Sequence, residues 1–176
     1  MLRLRRRERV RRKEVEGIAE RLLSAFGAVT FAVDAAVERA EVSDGLAALL
    51  LGEEILALEL RGVPVLSVRG LLKWPATKRW VTVDMGAVPY VYNGADVMAP
   101  GIVEADPAIA VGDLVWVRDE KNRRPLAVGA ALMTGAEMAA AEKGKSVKAV
   151  HHVGDEYWTH GHEEPEKPAP DEAEKA

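Results

Sequence analysis

The stretch VTVDMGAVPYVYNGADVMAPGIV, Val81 to Val103, decides how the rest of the chain is read. Trp80 and the alternating Val81-Thr82-Val83 predict a short strand. From Ala87 to Tyr92 the period becomes helical. Pro89 is tolerated there, because a proline in a first turn gives up an N–H that has no helical partner anyway. Asn93 to Val103 is then punctuated by Gly94, Pro100 and Gly101. Glycine lets backbone approach another group closely and offer it amides, or it simply serves a turn.

The pattern extends in both directions. Downstream, Leu114 to Arg118 and Leu126 to Leu132 predict strands joined by a polar turn at Lys121, Asn122 and Arg123. Thr134 with Glu137 three residues later is a capping box, opening a helix to about Glu142. Val147 to Val153 reads as a closing strand. Short strands, two short helices and turn chemistry every ten or so residues predict a small β-barrel. Upstream, Val15, Ile18, Leu22, Leu23 and Phe26 recur at helical spacing before Gly27. Strands are predicted at Val29 to Val33, Val37 to Val42, Leu46 to Leu51 and Ile55 to Leu60, with a hairpin turn at Asp44-Gly45. Val65 to Trp74 reads as strand or short helix, ended by Pro75. The fold class is α+β. Residues 1–77 are expected to form a small N-terminal domain whose first helix carries basic residues, 78–158 the barrel, and 159–176 an acidic, disordered tail.

With 48% apolar and 30% charged residues among 176, the composition is that of a soluble globular protein. No apolar run approaches the roughly 18 residues of a membrane span; the richest, Leu46 to Leu60, contains Glu53, Glu54 and Glu59. The basic start does not resemble a secretory signal, and a cytoplasmic protein is expected. The absence of cysteine excludes disulfides, thiolate metal sites and cysteine nucleophiles. Charge is uneven. Residues 1–13 carry eight basic side chains against Glu8, whereas 163–176 carry six acids against two lysines. A basic end on an acidic body suits a polyanion partner, or it is a solvated helix end.

The run Val81 to Val103, with Pro125 to Met133 and the closing His151-His-Val-Gly-Asp-Glu-Tyr-Trp158, resembles a PUA domain, the RNA-binding module named for pseudouridine synthases and archaeosine transglycosylases. The closing motif resembles in particular the malignant-T-cell-amplified-sequence family of translation-associated proteins and its archaeal relatives. There a small α/β pre-PUA domain precedes a PUA-type pseudo-β-barrel. The resemblance implies RNA contact through Tyr90, Asn93, Gly94, Ala95, Asp96, Val97, Met98, Pro100 and Gly101, with Lys145, Lys148 and His151. Tyr92 flanks the segment and can stack on an unpaired base, as can Tyr90. Lys73, Lys78 and Arg79 are near in sequence and suited to phosphates. On the bland reading the glycines serve turns, and Val97 and Met98 fill the core.

Three patterns are set aside. Gly144-Lys145-Ser146 has the loose form of a phosphate loop, but it follows a helix and precedes a strand, the reverse of what such a loop needs. His151, His152, His160 and His162 suggest a metal, but the first two point to opposite faces of a strand; no metal and no cofactor is expected. Asp84, Asp96 and Asp113 stand beside glycines, where turn and capping roles suffice. Trp80, Trp116 and Trp158 are read as core area, Trp74 as packing between the domains, and Asp155 as part of barrel closure. The chain reads as a non-enzyme that docks tRNA or rRNA, at the small ribosomal subunit or elsewhere, in translation initiation or ribosome recycling. The alternative is an accessory RNA-recognition subunit for a tRNA or rRNA modification enzyme. No protein partner is assigned.

Overall fold

The computed structural model describes residues 2–162; the acidic stretch 163–176 lies outside the described residues. Most of the expected elements appear within a residue or two, and the first difference lies at the N-terminus. Arg5–Arg9 is a strand, β1, not part of a helix. It pairs antiparallel with β2 (Val37–Ser43), setting Arg5 opposite Glu41 and Arg9 opposite Glu38. Its polar run hides any apolar alternation; acidic side chains across the ladder favour the pairing instead. Helix α1 (Arg12–Phe26) begins after it, so only Arg12 and Lys13 occupy a first helical turn. Gly27 at φ +67° ends the helix, its N–H donating to the Leu23 carbonyl.

Strands β3 (Leu46–Leu51), β4 (Glu54–Leu60) and β5 (Val63–Leu66) complete a five-stranded antiparallel sheet, order β1-β2-β3-β4-β5. Val29 to Val33 is irregular rather than a strand; Phe31 anchors it edge-on to Trp74, ring centroids 4.9 Å apart. Helix α2 (Val68–Lys73) follows β5, capped by Ser67, whose hydroxyl accepts from Gly70 N–H and donates to Ile55 O. Residues 65–74 are thus strand and helix in succession.

The second sheet contains β6 (Trp80–Val83), β7 (Val97–Met98), β8 (Ile102–Ala105), β9 (Leu114–Asp119), β10 (Pro125–Ala131) and β11 (Lys145–His152). The order is β7-β11-β10-β9-β6-β8, with β6 and β9 parallel and the other pairs antiparallel, a nearly closed barrel. Helix α3 (Val88–Tyr92) follows β6, α4 (Gly135–Ala140) packs on β8, and a four-residue α5 (Glu156–Thr159), unanticipated from sequence, follows β11. Thr134 caps α4 with Glu137 as predicted, but the helix stops at Ala140. No described helix is long and apolar enough to cross a membrane.

Two apolar clusters hold the fold. Val15, Ile18, Leu22 and Phe26 of α1 bury one face in a cluster with residues of β3, β4 and β5, and Leu114, Trp116 and Val128 of the barrel join it. Val81, Val83, Val91, Val97, Leu126 and Met138 fill the barrel itself. Trp158 is not core: the Arg69 guanidinium lies 3.7 Å from its ring centroid. Trp116 is buried and donates its indole N–H to Lys78 O, while Trp80 is only half-buried.

Candidate nucleic-acid interface

Helix α3 is short because Pro89 fixes its first turn and Gly94, at φ +83°, ends it by donating to Val91 O. Val91 points into the barrel, so its neighbours Tyr90 and Tyr92 face outward, 69% and 41% exposed. The chain then enters β7, where alternation buries Val97 and exposes Met98. Register sets Met98 beside Lys145 and Val97 beside Val147. Lys148, exposed on the same strand, stands opposite Ala130. Tyr90, Tyr92, Asn93, Ala95, Met98, Pro100, Lys145 and Lys148 thus lie exposed on and between three adjoining elements.

Asp96 organises this junction. Its carboxylate accepts from Ala149 N–H at 2.9 Å and meets Lys145 Nζ at 3.3 Å. The Ala149 amide, then Lys145 and the charge of Lys148, hold it below the ordinary carboxylate range. Asp84 accepts from Ala87 N–H, and Asp113 from Ala110 N–H. All three carboxylates are engaged with backbone amides.

Several expected contacts are placed elsewhere. His151 is fully buried: its Nδ1 faces Asp155 at 2.9 Å, and its Nε2 accepts from Val68 N–H at 3.1 Å. It cannot meet RNA in this structure. His152, on the opposite face of β11, is the histidine against the glycine segment; its Nε2 lies 2.9 Å from where a Cβ on Gly94 would sit. The period-2 alternation of the strand predicted opposite faces, but not which one turned outward. Val97 fills the core, and Gly94 N–H is used within α3, so neither meets a ligand in the expected way. Gly101 packs against Ala87.

Lys78 and Arg79 precede β6 while α3 follows it, which puts them at the other end of that strand. Lys78 Nζ donates to Ser24 O, and Arg79 sits 3.7 Å from Asp113 and over the Phe26 ring. Lys73, at the end of α2, lies 5.6 Å from the Trp74 ring centroid.

The remaining histidines are apart from the interface. His160 and His162 face Glu53 and Glu54 respectively. Among the described residues there is no group of three or more His, Cys, Asp and Glu able to hold a metal ion.

Comparison with known proteins bears on the same region. The PUA domain family matches residues 79–153. An uncharacterised protein of Methanocaldococcus jannaschii is 44% identical over 117 residues, 66% of this chain and 72% of its own. The chain belongs to the PUA-domain proteins. Malignant T-cell-amplified sequence 2 of mouse is 29% identical over 110 residues, 61% of each chain. Translation machinery-associated protein 20 of Eremothecium gossypii is 29% identical over 66% of this chain and 67% of its own. Among solved structures, a conserved PUA domain protein from Thermoplasma acidophilum is similar with a TM-score of 0.71 and 31% identity, covering 85% of this chain and 95% of that one.

Proposed function

We propose that this PUA-domain protein binds structured RNA through α3, β7 and the start of β11, in the service of translation. The observation that carries the reading is the exposure of Tyr90, Tyr92 and Met98 beside Lys145 and Lys148 on a PUA barrel. Aromatic faces stack on unpaired bases, and lysines neutralise phosphates without reading sequence. His152 and Asn93 supply polar groups at the same edge. Asp96, tied to Lys145 and Ala149, positions the strand pair and makes no demand on the ligand.

The translation assignment is supported by the name of the Eremothecium relative, a translation machinery-associated protein. Within it, we place the protein at initiation or recycling, docking tRNA or rRNA on the small ribosomal subunit, with residues 78–158 as the RNA-docking domain and residues 1–77 orienting it. The protein acts as a binding module rather than an enzyme. Crosslinking in its own cells followed by sequencing of the bound RNA tests this. Footprints on small-subunit rRNA or tRNA acceptor ends are expected. Enrichment of mRNA coding regions alone, or no enrichment over an unrelated soluble protein, would refute it.

A further inference from the structure

A second cationic site lies far along the chain from the barrel face. Between α1 and the end of the N-terminal sheet is a cavity of about 860 Å³. Gly17 of α1 leaves room in its wall, with no atom within 4 Å of the point a Cβ would occupy. Five arginines border the cavity: Arg5, Arg6, Arg21, Arg39 and Arg61.

Their engagement differs. Arg39 is committed to Glu59 at 2.5 Å and Glu14 at 2.7 Å, so its one charge is shared between two of the acids that line the cavity. Arg21 donates to Gly62 O. Arg6 makes one 3.5 Å contact to Glu41 with its side chain 81% exposed, a pair that a ligand readily displaces. Arg5 and Arg61 hold no side-chain partner among the described residues.

The backbone is unusual at two of these arginines, Arg6 and Arg61. Arg61 and Gly62 are the two residues of the β4–β5 hairpin, at φ +49° and +80°, with Leu60 opposite Val63. Such a turn takes Asn or Gly at its first position; arginine there is strained. Arg6 also sits at φ +49°, within a bulge where β1 carries one extra residue between Arg5 and Glu8. Successive residues of a regular strand point to opposite faces, yet Arg5 and Arg6 both line the cavity. The bulge re-aims one of them. Two arginines in strained backbone line one cavity, a cost to the fold of the kind that collects at binding sites.

We propose that this cavity is a phosphate-binding site whose ligand is held by Arg5, Arg6 and Arg61. The guanidinium fork matches phosphate oxygens. A peptide would need an apolar or aromatic anchor, and the apolar lining is limited to Ile18, Leu46 and Ala47. The phosphates are those of an RNA backbone or of a free polyphosphate. The site stands whether or not the barrel face binds RNA.

The test uses the full chain at low salt, following arginine Nε–H NMR signals during titration with inorganic tripolyphosphate. Signals of Arg5, Arg6 and Arg61 are expected to move together. Arg61→Gly should weaken the interaction about tenfold, while relief of the turn raises Tm by about 2–4 °C. Arg6→Gln should weaken it with Tm unchanged. Unmoved signals, or wild-type affinity in a folded Arg61→Gly, would overturn the proposal; so would a polyglutamate peptide moving these signals where tripolyphosphate does not. Competition by single-stranded RNA assigns the site to RNA backbone, and failure to compete assigns it to free polyphosphate; both support the site. Loss of RNA binding in Tyr90→Ala with the tripolyphosphate response intact separates this site from the barrel face. An absence of RNA binding in the wild type would defeat the barrel reading alone.

Discussion

Replacing Asp155 with alanine removes more bonds than any other single carboxylate change described above. The side chain faces His151 Nδ1 at 2.9 Å, accepts from His152 N–H at 2.9 Å, and caps α5 through Trp158 N–H at 3.0 Å. The Val68 amide can only donate, so it makes His151 Nε2 an acceptor and puts the ring proton on Nδ1, toward Asp155. Without Asp155 that proton is buried and unpaired, costing about 1–3 kcal/mol. The lost helix cap adds about 1 kcal/mol. Together these lower Tm by roughly 5–15 °C in a chain of this size. Burial would push the Asp155 carboxyl up, but the His151 contact and the two amides outweigh it and hold it below the ordinary range. Its contribution is therefore complete above the ordinary carboxylate pKa and fades as pH falls through the lowered one. Thermal melts of wild type and Asp155→Ala should differ most near neutral pH and converge in acid well below pH 4, to within roughly 1 °C. A neutral-pH loss under about 2 °C, or a proton found on Nε2 by imidazole ¹⁵N NMR, would refute the reasoning.

Other outcomes follow from the geometry. Tyr90→Ala should weaken RNA binding by about 1–3 kcal/mol, roughly five- to 150-fold, with Tm unchanged, by fluorescence titration beside a melt. Lys148→Gln should lessen the slope of log affinity against log salt by about 0.7–0.9, the contribution of one phosphate. Gly70→Ala should destabilise by several kcal/mol in urea unfolding, because its methyl would collide with the Leu56 carbonyl and force α2 off β4. Gly94→Val should lower Tm through both its φ of +83° and the His152 ring, so it cannot isolate RNA contact as Tyr90→Ala does.

What the sequence made legible was local chemistry. The apolar runs of β3 and β4, the Asp44-Gly45 turn, the Thr134 capping box and the Pro89 helical turn each carry their signal within a few residues. What escaped was pairing across distance. Arg5–Arg9 is a strand because Glu38 and Glu41 lie opposite it, in a strand on the far side of α1. Val29 to Val33 looks like a strand but has no neighbour to pair with among the described residues, and Phe31 turns to Trp74 instead. For the interface, the outward tyrosines were readable from the spacing around Val91. The burial of His151 was not, since its partner amide at Val68 belongs to the other half of the chain.

Leu114, Trp116 and Val128 share one apolar cluster with α1, so opening the N-terminal sheet also uncovers part of the barrel sheet, although Val81, Val83 and Leu126 keep their own cluster. The shared cluster couples the two sheets, and the amides of β3, β4, β9 and β10 are expected to exchange with deuterium through the same opening. An RNA seated on the barrel stabilises the native state by mass action, and in a cooperative fold that protection is not confined to the barrel. It is expected to slow exchange in α1 and the N-terminal sheet as well, so occupancy of one end is registered at the other without any change of shape.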